Sequence, residues 1–338
     1  MTTRTRRLFN DTSDLVSEML EGYVAAHADV IALADGMVVR ARPKPAGRVG
    51  LVIGNGSGHE PAMIGWVGRG LFDVNVPGPV FSSPGPARIL DGIRAADRGA
   101  GVLLLVSSHA GDIMNASLAI ADAEAEGVRV QMVVLYDDIA SGPPERPEDR
   151  RGGPGLFFVW KIVGALAETE ASLDECAEMA RRVRDRTRSI SAAIGTVAHP
   201  VSGQPLGSTP ENILSVGLGV HGESGSALEA DASADDIAEI LISRLVADAQ
   251  IGPGERVGLL VNNAGSLTLM ELSILFRGAS RALARRGIDV ACPWIGSYAT
   301  TLDQAGFAFG VVALDDELET LYNAPARGAG FISVGADA

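Results

Sequence analysis

The chain has 338 residues, 46% of them apolar and 21% charged, with a formal net charge of −14. That composition is globular and the length suggests about two domains. The acidity argues against nucleic acid or an anionic membrane as a partner, since both need a basic face. No apolar run approaches the roughly 20 residues of a membrane span. The short basic start, Arg4-Thr5-Arg6-Arg7, reads as a solvated tail. The two cysteines, Cys176 and Cys292, match no metal or redox spacing and read as buried thiols of a soluble, cytoplasmic protein.

In chain order, residues 12–27 carry Leu15, Val16, Met19, Leu20, Tyr23 and Val24 at helical spacing. Asp35-Gly36 predicts a hairpin turn, with residues 37–41 as the second strand. Residues 49–53 form an apolar run that reads as a buried strand. Gly54, Gly56 and Gly58 follow at alternate positions, then His59, Glu60 and Pro61. Proline suits a first helical turn, so the stretch reads as strand, glycine turn and helix start. Such a turn brings backbone N–H groups close to a small polar ligand; it is equally readable as a sharp turn with a solvated histidine. Residues 73–86, rich in Pro, Gly and Ser, read as irregular.

A helix over about 86–98 leads to a strand at 101–106, which ends in Ser107-Ser108-His109-Ala110-Gly111-Asp112. A helix from about 113 to 126 and a strand over 128–135 follow. Residues 140–155, full of breakers, are a lid, a docking loop or a mobile surface loop. After a helix at about 156–168, Ser172 and Glu175 form a capping-box pattern opening another, through about 188. The domain boundary is placed there, giving domains 1–188 and 189–338. The second half has His221 between glycines, a helix over 237–246, a strand over 255–261, a helix to about 286, strands over 288–291 and 307–314, and an acidic helix near 315–322. Strands alternating with helices predict an α/β fold, each domain a mixed or parallel sheet flanked by helices. Ligands of such sheets sit beyond the carboxyl ends of strands, where Gly54–His59 and Ser107–Asp112 both fall.

The glycine turn is no phosphate loop of the Lys-Ser/Thr kind: His59-Glu60 follows Gly58, and the only lysines are Lys44 and Lys161. Its glycine spacing also fails the dinucleotide pattern, which removes a Rossmann-type dehydrogenase. Of five histidines, His27 reads as structural, His199 as a surface residue, and His109 as a helix cap or site residue. The spacing of His59, His109, Asp112 and His221 demands no metal, and none is expected. A neutral histidine can attack a carbonyl while a carboxylate takes a proton from a hydroxyl, which suits a short hydroxylated ketone. Asp112 is otherwise an ordinary helix cap.

These residues resemble the K subunit of dihydroxyacetone kinase. The resemblance runs through Gly56-Ser57-Gly58-His59-Glu60-Pro61, Gly111-Asp112, Asp137-Asp138, Arg151-Gly152 with Gly155, Gly219-Val220-His221-Gly222-Glu223, Gly296-Ser297 with Thr301-Leu302-Asp303, and Asp315-Asp316-Glu317-Leu318 with Ala324-Pro325. It implies a two-domain α/β homodimer that binds a small ketose. By the same likeness His221 forms a covalent hemiaminal with the carbonyl, and His59 assists proton transfer and hydrogen-bonds the substrate. Asp112 acts on the hydroxyl that receives phosphate, and Gly56, Ser57 and Gly58 contact substrate through the backbone. The nucleotide, either ATP or ADP recharged by a phosphotransferase system, belongs with Mg2+ on a separate L-type subunit, so this chain binds no cofactor itself. The setting is ketose phosphorylation in glycerol metabolism.

Three departures from the family stand out. Its lysine five residues before the aspartate is Ser107, its Asn-Tyr-Thr-Gly-Asp is Ser108-His109-Ala110-Gly111-Asp112, and its Asn-Gly-x-Gly is Asn262-Asn263-Ala264-Gly265. Ser107 and His109 are candidates to bind an additional hydroxyl, making erythrulose or another C4–C5 ketose an alternative substrate. A ketose-binding sensor without catalysis is the competing function. Keeping His59, Asp112 and His221 together favours catalysis, since a sensor needs no hydroxyl-activating carboxylate.

Overall fold

The computed structural model describes residues 7–195, 197–206, 213–217, 226–229 and 232–335. The chain forms two compact units: unit one takes residues 13–135, 157–185 and 320–338, and unit two takes 1–12, 136–156 and 186–319. The single boundary expected after residue 188 lies close to just one of these five crossings. Three of the others come from long-range returns. Residues 136–156 join the strand at Ser189 through Asp138, and the C-terminal stretch pairs with Gly68 and Arg69. Neither return leaves a local signal.

In unit one, α1 (Leu15–Ala26) precedes a hairpin of β1 (Ile31–Ala34) and β2 (Met37–Arg40). Asp35 and Gly36 both have positive φ, 48° and 72°, the two-residue turn the sequence predicts. β3 (Gly50–Ser57), the short β4 (Gly68–Arg69), β5 (Val74–Val80), α2 (Pro86–Ala96), β6 (Val102–Ser107), α3 (Ala110–Ala125) and β7 (Val130–Leu135) follow. The six-stranded order is β1-β2-β5-β3-β6-β7, with β5, β3, β6 and β7 parallel. Val52, Val74, Val76, Val102, Leu104 and Val106 face α2 and α3, burying Ile89, Ile93, Ala116, Ala119 and Ala123. α4 (Leu156–Leu166) and α5 (Leu173–Asp185) also belong here, apart from Leu156. Ser172 and Glu175 cap α5 as expected: the Ser172 N–H donates to Glu175 Oε2 at 2.8 Å, and Ser172 Oγ accepts from the Glu175 N–H at 3.3 Å.

Two local expectations are corrected. Residues 74–80 are an interior strand, not irregular chain. Proline is tolerated there because β5 meets β2 only at Val74 and Asn75, so Pro77 and Pro79 lie past the last shared rung. The glycine turn also starts no α-helix. β3 runs through Gly54 and Gly56 to Ser57, and a 3-10 turn at Ile64–Trp66 follows.

Unit two holds β8 (Thr187–Ala193), β9 (Val197–Ala198), β10 (Pro205–Leu206), β11 (Ile213–Val216), β12 (Ser226–Glu229), α6 (Ala234–Ala249), β13 (Arg256–Asn263), α7 (Leu269–Ala284), β14 (Asp289–Gly296) and β15 (Gly306–Leu314). Its mixed sheet is ordered β12-β11-β8-β15-β13-β14. α6 and α7 bury Leu241, Ile242, Leu245, Leu272 and Leu283 against Val257, Leu259, Val261, Phe309 and Val311. β14 runs through Pro293 because it is an edge strand, where the absent N–H costs no ladder bond. α8 (Asp316–Asn323) follows, then β16 (Ala326–Gly328) and β17 (Ile332–Ser333), which form a small sheet with β4. No helix among the described residues is long and apolar enough to cross a membrane.

Candidate functional site

The site candidates of unit one lie at the carboxyl ends of β3 and β6, parallel neighbours paired from Gly50↔Val102 to Ile53↔Leu105. Past those rungs polar side chains appear, Asn55 and Ser57 on β3 and Ser107 on β6. Ser57 Oγ donates to the Gly78 carbonyl at 2.8 Å, and the Phe81 N–H donates back to the Ser57 carbonyl at 2.8 Å. These bonds fold residues 78–84 over the strand end. A Cβ on Gly56 would lie 2.5 Å from the Ser82 backbone nitrogen. Gly58 has φ +102°, and a Cβ there would strike the Phe81 ring at 2.6 Å. The glycines are therefore required by the chain's own close approach, whatever a ligand adds.

His59 is buried, its ring 5.0 Å from that of Phe81. The Gly58 N–H donates to Glu60 Oε1 at 2.9 Å, and burial holds the Glu60 carboxyl above the usual carboxylate range. On the neighbouring strand, Ser107 Oγ and His109 Nδ1 share a hydrogen bond of 3.2 Å. His109 occupies the N-cap position of α3 but makes no side-chain cap bond. α3 starts at Ala110, so Asp112 belongs to its first turn and is not the cap. A carboxylate there faces the positive end of the helix dipole. Asp112 is buried, its Oδ2 3.9 Å from His109 Nδ1. The folded-over loop touches both arms: Phe81 meets His59, and Asn115 of α3 donates to the Pro84 carbonyl at 3.0 Å.

Gly56, Ser57, Gly58, His59, Ser107, His109 and Asp112 are thus gathered at one end of one sheet. His221 lies outside the described residues, as do Gly219 to Glu223 around it. Among the described residues no group of three His, Cys, Asp or Glu side chains could hold a metal ion.

Sequence reasoning passed over Asn55. It stands between Gly54 and Gly56, 6% exposed, and its Oδ1 accepts no hydrogen bond. It lies on the same face of β3 as Ile53, two residues beyond the last rung, just as Ser107 lies two beyond Leu105. The available signal was an amide set among glycines at the end of an apolar run.

Among the described residues of unit two, Asn262, Asn263, Asp138 and Arg151 bond to the chain's own backbone and side chains. Asn262 Oδ1 accepts from the N–H groups of Tyr298 and Ala299 at 3.0 Å each, and Asn263 Oδ1 from those of Gly265 and Leu267 at 2.9 and 3.1 Å. Asp138 pairs with Arg151 at 2.8 Å, and Arg151 donates to the Gly217 carbonyl at 3.2 Å. Burial pushes the neighbouring Asp137 carboxyl up to about 7, although the Ser189 hydroxyl and the Gly153 N–H donate to it.

The Dak1 domain model matches residues 21–330. The chain is 38% identical over 313 residues to the dihydroxyacetone-binding subunit DhaK of PTS-dependent dihydroxyacetone kinase 1 from Listeria innocua, covering 92% of this chain and 95% of that one. It is 37% identical over 328 residues to an L-erythrulose kinase from Pectobacterium atrosepticum, covering 96% of this chain but 56% of that longer protein. Two solved structures superpose closely. One is the native dihydroxyacetone kinase of C. freundii, with TM-score 0.88, 28% identity, and 99% of this chain and 62% of that one covered. The other is the dihydroxyacetone kinase operon co-activator Dha-DhaQ, with TM-score 0.87, 29% identity, and coverage of 94% and 98%.

Proposed function

Because this chain belongs to the Dak1 domain family, we propose that it is the ketose-binding subunit of a short-chain ketose kinase, a phosphotransferase acting on an alcohol. The observation that carries this reading is a buried carboxylate, Asp112, at the same sheet end as His59, which follows Gly58. A ketose needs two kinds of help: something to hold its carbonyl, and a base for the hydroxyl that becomes the phosphoryl acceptor. In this reading a nitrogen of His221 bonds to the carbonyl carbon. The C=O electron pair moves to oxygen, and a proton passes from the ring to that oxygen with His59 assisting. Asp112 takes the proton of the terminal hydroxyl as the hydroxyl oxygen bonds to the donor's terminal phosphorus and the P–O bond to the departing ADP breaks. Ser57, Ser107 and His109 position the remaining hydroxyls beside the backbone of Gly56 and Gly58.

The donor nucleotide and Mg2+ sit on an L-type partner, the nucleotide being ATP or ADP recharged by a phosphotransferase system. The chain works as a cytoplasmic homodimer. Dihydroxyacetone and erythrulose are the two leading substrates, each supported by a relative named for it. The second reading is a ketose sensor that regulates a partner. Its support is the close likeness to a co-activator, matched over nearly the whole of both chains.

Native mass spectrometry tests the binding step. Dihydroxyacetone or L-erythrulose is expected to add its full mass to the protein with no water lost, and His221→Ala is expected to abolish the adduct. A protein that gains no mass with any ketose, or a His221→Ala variant that still gains it, overturns the covalent reading.

Asn55 is expected to sort the ketoses. A hydrogen bond to its uncompensated oxygen contributes about 0.5–1.5 kcal/mol. With an L partner supplying phosphoryl groups, Asn55→Ala should raise KM for L-erythrulose about 3- to 10-fold more than KM for dihydroxyacetone, with kcat little changed. An unchanged ratio of the two KM values removes Asn55 from substrate selection.

A further inference from the structure

Unit one contains a cavity of about 480 Å³ lined by Arg40, Arg42, Lys44, Arg69 and Arg327, five basic groups in a chain with net charge −14. It lies where β2 ends and β3 begins, since Lys44 Nζ donates to the Val49 carbonyl at 3.0 Å just before Gly50. His59 and Asp112 belong to the opposite, carboxyl end of the parallel strands. An eight-residue strand such as β3 rises roughly 25 Å, so the cavity is separate from that site.

Three of the five cations are neutralised. Arg40 pairs with Asp73 at 2.9 Å and Glu168 at 2.7 Å and donates to the Leu71 and Phe72 carbonyls. Lys44 pairs with Asp73 at 2.9 Å. Arg327 pairs with Asp29 at 2.5 Å. Arg42 and Arg69 are exposed, and their guanidinium groups make no hydrogen bond or ion pair with any described residue. With Asp29, Glu168 and Asp73 committed to the other three cations, two guanidinium charges are left uncompensated at the cavity. The remaining wall is largely apolar, with Pro43, Pro45, Pro325 and the exposed Ile332 and Val334.

We propose that this cavity binds a small phosphate monoester, its head between Arg42 and Arg69 and its organic body against Ile332 and Val334. A phosphate monoester carries about −1.5 to −2 charges at neutral pH, which matches the two free guanidinium groups. The guanidinium fork suits phosphate oxygens better than a point charge does. The volume falls in the range of about 300–1,000 Å³ typical of small-molecule sites. The surplus charge sits at one cavity of an otherwise acidic chain, which disfavours a polyanionic strand that would need an extended basic track.

The test is calorimetric titration of the whole chain with phenyl phosphate and with inorganic phosphate at fixed ionic strength. Phenyl phosphate has an apolar body and no ketose character, so its binding is independent of the kinase reading. One saturable site per chain is expected, with phenyl phosphate tighter than inorganic phosphate. Arg42→Ala combined with Arg69→Ala should weaken both at least tenfold with the thermal midpoint unmoved. Arg42→Lys with Arg69→Lys should fall between, because charge is kept and the fork is lost. Absent binding in the wild type, or equal affinity in the alanine variant, overturns the proposal. So does an alanine variant whose only change is its association state by sedimentation, because the arginines would then serve contact between copies of the chain.

Discussion

Asp112→Asn is expected to lower kcat for ketose phosphorylation by about 10²–10⁴-fold, the usual contribution of a positioned general base. The substitution keeps size and shape, and the side chain stays in the first turn of α3. Loss of the charge near the helix start removes about 0.3–1 kcal/mol of dipole stabilisation, so the thermal midpoint should fall by no more than a few degrees. The His221 adduct should survive, because capture of the carbonyl does not need the terminal hydroxyl to be deprotonated. The decisive pattern is therefore an intact adduct with turnover lost, read by native mass spectrometry and a coupled assay with the L partner. Loss of the adduct along with turnover would make Asp112 a binding residue. Undiminished turnover would place the base elsewhere, and a chain whose wild type binds ketose but never passes phosphate to it would favour the sensor.

Much of this site was legible because its strands announce themselves. The apolar runs of β3 and β6 fix two parallel neighbours, and everything after their last rungs falls at one sheet end. The resemblance singled out His59 and Asp112, and the structure places both there. What stayed hidden depends on contacts far apart in sequence. β5 reads as irregular because its prolines are allowed only by the limited pairing with β2. The glycines suggest a helix start, whereas Gly56 and Gly58 actually make room for Phe81 and Ser82. The division of the chain was legible only near residue 188, because residues 136–156 join the second unit through Asp138 and Ser189, a pairing no local pattern encodes.

The same segment carries the largest expected stability effect. Residues 140–155, composed like a mobile loop, are held by Arg150, whose side chain is 1% exposed and donates to both oxygens of Asp248 on α6 at 2.8 and 2.6 Å. Arg150 Nε also donates to the Gly142 carbonyl at 2.9 Å, and Arg188 Nε reaches Asp248 Oδ1 at 2.6 Å. Burial works against ionisation of Asp248, but the two arginines outweigh it and hold the carboxyl below its usual range. A depressed carboxylate stabilises the fold above its unfolded pKa, and that contribution is lost as pH falls through the folded one. Asp248→Ala leaves Arg150 buried and uncompensated, a change that costs about 3–5 kcal/mol. At roughly 2–4 °C per kcal/mol for a domain of this size, the midpoint near neutral pH should drop by about 6–20 °C. The variant should also lose this component of the wild type's acid sensitivity. Exchange of backbone amides over 141–151 should rise at the same time, since the loop loses its anchor. Replacing both partners, Arg150→Met with Asp248→Leu, should recover most of the loss, because an apolar pair needs no desolvated charge, whereas Arg188 is partly exposed and can turn to solvent. A single variant as stable as the wild type, or a double variant no better than the single one, would show that the ion pair does not hold this loop.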